Sequence, residues 1–449
     1  MLDHGSPPTA RGRSRARRRA RVLVAAGVLS AAVAVALGSI GGSAAAAGSQ
    51  LTVADVAPFT GPDAALGPTY LVSCDAATNA INKAGGVLGH TLGCKSVDTR
   101  GDQADAVPAV RQMYSSTSNL VLVIGCTSDE AASVVPIFAS NKTVSFCMTG
   151  QSEFDHVKFP YFYRLVPPDL SESYAMIAIA HDMLHYKRVA LAFGNDIGSQ
   201  AFIAPAMAAV KKAGETLSSN QTLDLSATTF RTEADAIVLS KPDVILTEAL
   251  GPTDAAFLSE VKQLNKGKMI PVIGTSATIS PDWFKSVSSA VGASTLANDF
   301  WADNLVVETN GAAFAAFKTA IFAEKGKVGQ TGDFSTYLTA PGAVHLYDGI
   351  NLAALAMIES KSTSGSAYKA DIEKIGDGSP GATVVNTFAQ GVAALKAGKQ
   401  IRYEGPGGPT SFDAYHDSTG LFQVDRYTSN GTVKVTGNLT TAQLRALGL

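Results

Sequence analysis

From Leu51 onward, short apolar runs alternate with longer amphipathic stretches, a pattern typical of parallel β-strands joined by helical crossovers. The run LVLVIG at 120–125 is apolar throughout, as expected of a strand covered on both faces. The first part of the chain is predicted to contain strands at 51–57, 91–98, 120–125 and 143–148, with helices at 68–84, 103–116 and 128–140.

The same alternation starts again after residue 169. It predicts strands at 188–194, 244–247, 270–274 and 295–298, and helices at 171–184, 198–213, 252–264 and 281–288. Further helical stretches follow at 311–322, 340–359 and 384–397, before a strand-like end in which Asn430-Gly431 marks a hairpin turn. We therefore predict an α/β protein of two Rossmann-like lobes, each built on a parallel central sheet.

The first 47 residues resemble an export signal. Seven arginines between Arg11 and Arg21 precede an apolar stretch at 22–40, and small residues at 44–47 suit a cleavage site. We expect a signal peptide at 1–47 and an extracytoplasmic protein. An uncleaved anchor and a nucleic-acid-binding arm are the alternatives, and Arg18-Arg19 leaves the Sec and twin-arginine routes both open.

The predicted mature chain is acidic. Removal of residues 1–47 takes away seven basic residues and one acidic residue, which leaves 29 basic and 37 acidic residues. Such a surface does not attract nucleic acid or anionic lipid. We expect a secreted, periplasmic or cell-surface monomer, and no cysteine near residue 47 offers the usual lipid-attachment site.

Four cysteines lie early in the predicted mature chain, an even number that suits disulfide bonds in an oxidising compartment. Cys74 shares a predicted helix face with Ala77 and Ile81, and Cys94 lies on a neighbouring strand, so we expect these two to pair. Cys126 and Cys147 end predicted neighbouring strands and form the second expected pair. The alternative is four buried free thiols.

Signatures of catalysis are missing from the sequence. It contains no GxSxG, HExxH or Walker A motif and no GxGxxG motif after a predicted strand, and its seven histidines are scattered. We therefore expect a binding protein that is not an enzyme and that needs no cofactor or metal.

Hydroxyl and amide side chains follow two predicted strand ends. Thr127 and Ser128 open a helix after the third strand, and Thr149, Gln151 and Ser152 follow the fourth. A helix N-terminus there can bind a ligand carboxylate, and ligands of open α/β sheets occupy the crevice outside the carboxyl ends of the strands. The alternative role of each hydroxyl is an ordinary helix cap.

Five segments carry a resemblance to a known family: APFTGPDAALGPTY, NAINKAGGVLGHTLGCKSVDTRGDQADAV, VLVIGCTSDEAASVVPIFA, GPGGPTSFDAYHDSTG and YTSNG. In these segments the chain resembles the solute-binding proteins of the leucine/isoleucine/valine-binding family, with the type I periplasmic-binding fold. The resemblance implies two lobes joined by three crossovers near Pro167, Phe300 and Asp413. Lobe 1 would be 48–167 and 301–412, and lobe 2 would be 168–300 and 413–449, with surplus residues near 326–333 and 361–380.

The resemblance also implies roles for individual residues. Ser128 matches the serine that binds a ligand carboxylate, and Ser152 matches the hydroxyl that meets the ammonium group. Ile197 and Leu250 stand where relatives often have tyrosines, and Ser276 stands where amino-acid binders carry an acid. Leu66 completes the expected first-lobe contacts.

A buried ammonium group without a counter-charge is costly. Glu248 at the end of DVILTE is the first candidate to replace the missing acid, and Asp196 in GNDIG is the second; either could also be an ordinary loop acid. Trp283 and Trp301 could cover the cleft, although packing in the core is the alternative for both.

Together these features predict a receptor that captures a small organic ligand, such as an aliphatic or branched-chain amino acid or a related carboxylate or amide. The family resemblance implies delivery to the permease of an ABC importer. A sensory ligand-binding module of the same fold is the alternative, and an exported hydrolase is a third class.

Overall fold

A computed structural model describes residues 48–327 and 333–449 of the chain. The predicted signal peptide at 1–47 lies outside the described residues, as does most of the predicted surplus at 326–333.

The first lobe is built on a parallel five-stranded sheet of order β2-β1-β3-β4-β5. Its strands are β1 (Gly48–Ala57), β2 (His90–Asp98), β3 (Leu120–Thr127), β4 (Ser145–Met148) and β5 (Phe162–Arg164). The helices between them are α1 (Gly67–Lys83), α2 (Gln103–Ser116) and α3 (Ser128–Ser140). These elements match the predicted ones within a few residues, except that β5 was missed because it has only three residues.

Helices cover both faces of this sheet. Leu122 and Ile124 of β3 are at most 1% exposed and join a core cluster with residues of α1, whereas Val123 packs with residues of α2 and α3 on the opposite face. This burial on both faces explains why the strand is apolar at successive positions. After α1, Gly86 adopts a φ of +71°, and an added Cβ would lie 2.1 Å from the His90 carbonyl oxygen, so the turn into β2 needs glycine.

The second lobe is built on a seven-stranded sheet of order β15-β14-β10-β9-β8-β6-β7. Its parallel strands are β6 (Arg188–Gly194), β7 (Thr216–Leu223), β8 (Val244–Glu248), β9 (Val272–Gly274) and β10 (Phe300–Leu305). The helices here are α4 (Asp169–Ala178, extended by a π-helical turn at Ile179–Met183), α5 (Ile197–Ala201), α6 (Ile203–Lys212), α7 (Arg231–Ser240), α8 (Gly251–Leu264), α9 (Pro281–Val291) and α10 (Ala293–Asp299).

The chain then returns to the first lobe before it ends in the second. The returning helices are α11 (Gly311–Ala323), α12 (Pro341–Ser360), α13 (Gly365–Asp377) and α14 (Phe388–Lys396), with a small sheet of β11 (Thr383–Val385), β12 (Ile401–Gly405) and β13 (Gly408–Pro409). The last elements are the antiparallel hairpin β14 (Phe422–Tyr427) and β15 (Val433–Asn438), and α15 (Thr441–Ala446). Helix α12 is buried along most of its length and packs on α1, where Ser73 Oγ donates to the Ala343 carbonyl at 2.7 Å.

The predicted strand at 295–298 is wrong. These residues belong to α10, and Leu296 is the one side chain of that helix that is buried. The strand begins at Phe300 and runs to Leu305 in the second sheet, so the chain leaves this sheet about five residues later than the crossover expected near Phe300. The predicted helix at 384–397 begins at Phe388, because residues 383–385 pair with β12.

Two disulfide bonds join the expected partners. Cys74 in α1 is bonded to Cys94 in β2, with Cα atoms 6.0 Å apart. Cys126 in β3 is bonded to Cys147 in β4, with Cα atoms 4.8 Å apart. The first bond ties a helix to the sheet, and the second links two neighbouring strands next to the edge where both end.

A buried arginine joins the end of the first sheet to the segment that leads into β14. Arg164 is 0% exposed; its Nε donates to Asp417 Oδ1 at 2.6 Å and its Nη2 donates to Asp155 Oδ1 at 2.6 Å. Its Nη1 donates to the Gln151 carbonyl at 3.2 Å, and its backbone N–H donates to the His416 carbonyl at 3.0 Å. Arg164 therefore holds three chain segments together next to a crossover.

Replacing Arg164 with methionine should lower the free energy of unfolding by about 3–5 kcal/mol, because two partly or fully buried carboxylates lose their counter-charge. The control is Arg100→Met, which removes an exposed ion pair with Asp105 and should cost less than about 1 kcal/mol. Urea unfolding of both variants measures the difference. Equal, small losses would show that the buried ion pairs contribute little.

Candidate functional site

The carboxyl ends of the parallel strands in the two sheets face a common cavity of about 550 Å³. Helices α3, α5 and α8 begin at the ends of β3, β6 and β8, so their first turns lie at these edges. The first lobe contributes Asp63, Leu66, Tyr70, Thr127, Ser128, Asp129 and Met148 to the wall, and the second contributes Asp169, Glu172, Asp196, Phe202, Glu248, Leu250, Ser276 and Trp283. The volume is in the range of pockets that enclose small organic ligands.

Seven of the ten predicted ligand-binding residues line this cavity. They are Leu66, Thr127, Ser128, Asp196, Glu248, Leu250 and Ser276. Of the two tryptophans, Trp283 lies in the wall and also packs against Phe300, whereas Trp301 is outside it and stacks with the Arg426 guanidinium at 4.4 Å.

The other three predicted residues are not brought into the wall. Ser152 is exposed and starts a short turn, and Gln151 is buried next to it, where Arg164 binds its carbonyl oxygen. Phe154 in the same turn is 2% exposed and anchors it in the first-lobe core, which directs this loop away from the cavity. The side chain of Ile197 is 46% exposed, and only its backbone N–H takes part in a contact across the cleft.

The hydroxyl groups at the start of α3 have protein partners. Thr127 Oγ1 donates to Glu130 Oε2 at 2.6 Å, and the Thr127 N–H donates to Glu130 Oε1 at 2.9 Å. Thr127 therefore acts chiefly as a helix cap, which was the alternative role predicted from the sequence. Ser128 Oγ lies 3.2 Å from Thr149 Oγ1 and still lines the cavity.

Asp129 links the two lobes across the cleft. Its Oδ1 accepts hydrogen bonds from the backbone N–H groups of Ile197 at 3.0 Å and Gly198 at 3.3 Å, at the start of α5. An added Cβ on Gly198 would lie 3.3 Å from Ser128 Cβ, so the lobes meet here at close range. This contact describes a closed arrangement of the cleft.

Three carboxyl groups cluster around this contact. Burial, followed by the charges of Asp129, Asp196 and Glu130, raises the pKa of Asp63 to about 8. Burial and the charge of Asp196 likewise raise the pKa of Asp129 to about 6. Asp196 Oδ1 accepts the Ser199 N–H at 2.7 Å and caps α5.

A second group of carboxyls lies on the second lobe. Glu172 Oε1 accepts the Ser276 N–H at 2.6 Å, and Glu248 Oε2 accepts the Thr275 hydroxyl. Asp169 is 5% exposed, and its Oδ2 has no hydrogen-bond partner among the described residues. Burial, followed by the charge of Glu172, raises the pKa of Asp169 and of Glu248 well above the usual range.

Sequence reasoning missed most of these acids. Asp63, Asp129, Asp169 and Glu172 were not singled out, although Asp129 follows Ser128 directly and Asp169 and Glu172 occupy the first turn of α4. The available signal was that these acids lie in the first turns of helices that follow strand ends or crossovers. Acidic residues are also common in first helical turns simply because they stabilise the helix.

Across residues 48–327 and 333–449, no group of three or more His, Cys, Asp or Glu side chains is placed to hold a metal ion. No helix within the same ranges is both long and apolar enough to cross a bilayer.

Comparison with known proteins gives one consistent result. The family described as periplasmic binding protein matches residues 50–424. The Leu/Ile/Val-binding protein homolog 3 of Brucella melitensis is 33% identical over 101 residues, which is 22% of this chain and 27% of that protein. The chain therefore spans about a quarter of the length of this curated relative.

Two solved structures are similar over nearly their whole length. The leucine-binding protein of Thermotoga maritima has a TM-score of 0.68 at 16% identity, covering 87% of this chain and 99% of that one. A fatty acid ABC transporter substrate-binding protein from Thermomonospora curvata has a TM-score of 0.69 at 14% identity, covering 88% and 94%. At these identities the similarity concerns the fold.

The raised pKa of Asp63 predicts how stability depends on pH. Between its ordinary value of 3.8 and the folded value of about 8, the folded state holds the proton more strongly than the unfolded state. Stability should therefore fall as pH rises through this window, and Asp63→Asn should reduce the fall because the amide does not titrate. Asp129, Asp196 and Glu130 are the charged groups that face Asp63.

Melting temperatures measured from about pH 5.5 to about pH 8.5 test this expectation. Asp235→Asn, at an exposed position on α7, is the control and should keep the slope of the parent protein. A slope that is unchanged in Asp63→Asn would contradict the assignment.

Proposed function

The chain belongs to the periplasmic binding protein family, and we propose that it captures a small organic solute between its two lobes and delivers it to the permease of an ABC importer. The observation that carries this proposal is the cavity walled by both lobes at the carboxyl edges of their sheets. Family membership supports a location outside the cytoplasm.

Opening and closing of the cleft would connect binding to transport. Closure would bury the solute, and the closed form is the one that a permease would recognise. The direct contact between Asp129 and the start of α5 supports this view, because it can form only when the two edges approach each other. We propose the lobe limits predicted from the sequence, with the second crossover after Leu305 because β10 belongs to the second sheet.

The ligand class predicted from the sequence is an aliphatic or branched-chain amino acid or a related carboxylate or amide. The names of similar proteins support a small organic solute, since one is leucine-binding and another belongs to a fatty acid transporter. Amino-acid binders of this family carry an acid at the position where this chain has Ser276. In this proposal Glu248 takes over the role of that acid and binds the ammonium group. Its position in the cavity wall beside Ser276 supports that role.

A thermal-shift screen against amino acids, carboxylates, amides and amines tests solute capture. A compound present at about 100 times its Kd should stabilise the protein by about 2.7 kcal/mol and raise its melting temperature accordingly. If no compound in a broad metabolite panel raises the melting temperature, the proposed function is contradicted.

Closure itself can be tested at Gly198. Gly198→Val places methyl groups against Ser128 and should weaken binding of the best compound from the screen by about tenfold or more, because the closed state becomes less populated. Ala208→Val, at an exposed position on the neighbouring helix α6, is the matched control and should bind normally. Calorimetry on both variants gives the comparison, and normal affinity in Gly198→Val would argue against closure at this contact.

A further inference from the structure

Six of the seven acids that line the cavity form two sets, one around the contact between the lobes and one on the second lobe; the seventh, Asp282, is exposed on α9. The first set is Asp63, Asp129 and Asp196, and the second set is Asp169, Glu172 and Glu248. All six line the same cavity, so a ligand inside it is close to carboxyl groups from both lobes.

The protein supplies little positive charge to balance them. Lys285 is the one cationic side chain in the described cavity wall, and it is exposed on α9. Arg164 lies near Asp169 and favours its charged form, but it is already bonded to Asp155 and Asp417. Cations of the described chain therefore balance these acids only in part.

One buried side-chain oxygen in the described cavity wall has no hydrogen-bond partner. Asp169 lines the cavity and is 5% exposed, and its Oδ2 has no hydrogen-bond partner among the described residues. A buried polar atom without a hydrogen bond is destabilising. An ammonium or guanidinium group would offer both the missing donor and a counter-charge.

A ligand carboxylate would be bound unfavourably at Ser128, because acidic side chains lie close to it. The next residue is Asp129, and Glu130 follows in the same first turn of α3. These acids already offset the positive end of the helix dipole, and Asp196 adds negative charge nearby. Carboxylate binding at Ser128 would therefore be opposed by like charges.

The rest of the wall is suited to an apolar body. Aliphatic and aromatic side chains line the rest of the cavity of about 550 Å³: Leu66, Tyr70, Phe202, Leu250 and Trp283. This volume is much larger than a bare metal ion would occupy. Aromatic rings also bind organic cations favourably.

We infer that the captured solute is an organic cation, with an ammonium or guanidinium group bound by Asp169 and Glu248, an apolar body, and no free carboxylate. This inference rests on the proposed function and specifies its ligand class. It changes the expectation of a zwitterionic amino acid to that of an amine or an amino amide.

The test compares compounds of one carbon skeleton that differ in charge. 3-Methylbutylamine and leucinamide carry a cation, leucine is a zwitterion, and 4-methylpentanoate is an anion; 1,5-diaminopentane tests a dication. Isothermal calorimetry with the purified protein should show that at least one cation binds tenfold or more tightly than leucine and 4-methylpentanoate. Binding should also release protons, seen as heats that differ between buffers of different ionisation enthalpy, because acids with raised pKa values give up protons when a cation binds.

Variants of Asp169 and Glu248 distinguish direct contact with the ligand cation from general effects on the fold. Asp169→Asn and Glu248→Gln should each weaken binding of the tightest cation by tenfold or more while the protein remains folded, and each should reduce proton release. Asp235→Asn is the control on the surface of the same lobe and should change neither quantity.

The outcomes distinguish the inference from the function on which it rests. If leucine or 4-methylpentanoate binds as tightly as the cations, the inference is overturned while solute capture stands. If neither these compounds nor any in the broad screen bind, both fail. Unchanged affinity in both Asp169→Asn and Glu248→Gln would also overturn the inference.

Discussion

The burial of several carboxyl groups in one cleft is the constraint on which the rest of this structure depends. Asp169 is buried and Glu248 is half-buried, and ionised carboxylates there repel each other and lose hydration. Such groups must hold protons or meet cations. A cation bound between them would offset this charge, which supports the proposed capture of a solute.

The fold places these groups together without any local sequence pattern. Parallel strands end at one edge of each sheet, and two such edges face each other across the cavity. Asp129 at the end of one sheet then meets the first N–H groups of α5 from the other lobe. The disulfide between Cys126 and Cys147 joins two strands beside this edge and restrains the part of the first lobe that presents Ser128.

Sequence patterns predicted the buried strands well and the peripheral elements poorly. β3 and β6 are covered on both faces, so their apolar runs were visible. β7 has the sequence TLSSNQTL and lies at the edge of its sheet, and α13 is polar on much of its surface, so neither produced an apolar run or a prediction. α10 was mistaken for a strand because a short stretch with Thr295 and Leu296 does not distinguish the two.

The site was predictable where it follows strand ends. Ser128 and Glu248 were found because each stands at the end of an apolar run. Ser152 was assigned to the wall although its turn is held by Phe154 and Arg164, a tertiary arrangement that spacing does not reveal. Asp63 lies in a turn and Asp169 begins α4, and their positions depend on packing of the two lobes, so their convergence became visible only in three dimensions.

A crystal structure of the protein with its tightest-binding amine would test the central claim most directly. We expect closed lobes around the ligand and its nitrogen within about 3 Å of Asp169 Oδ2. A ligand bound on the outer surface, or a ligand carboxylate facing that oxygen, would contradict the account.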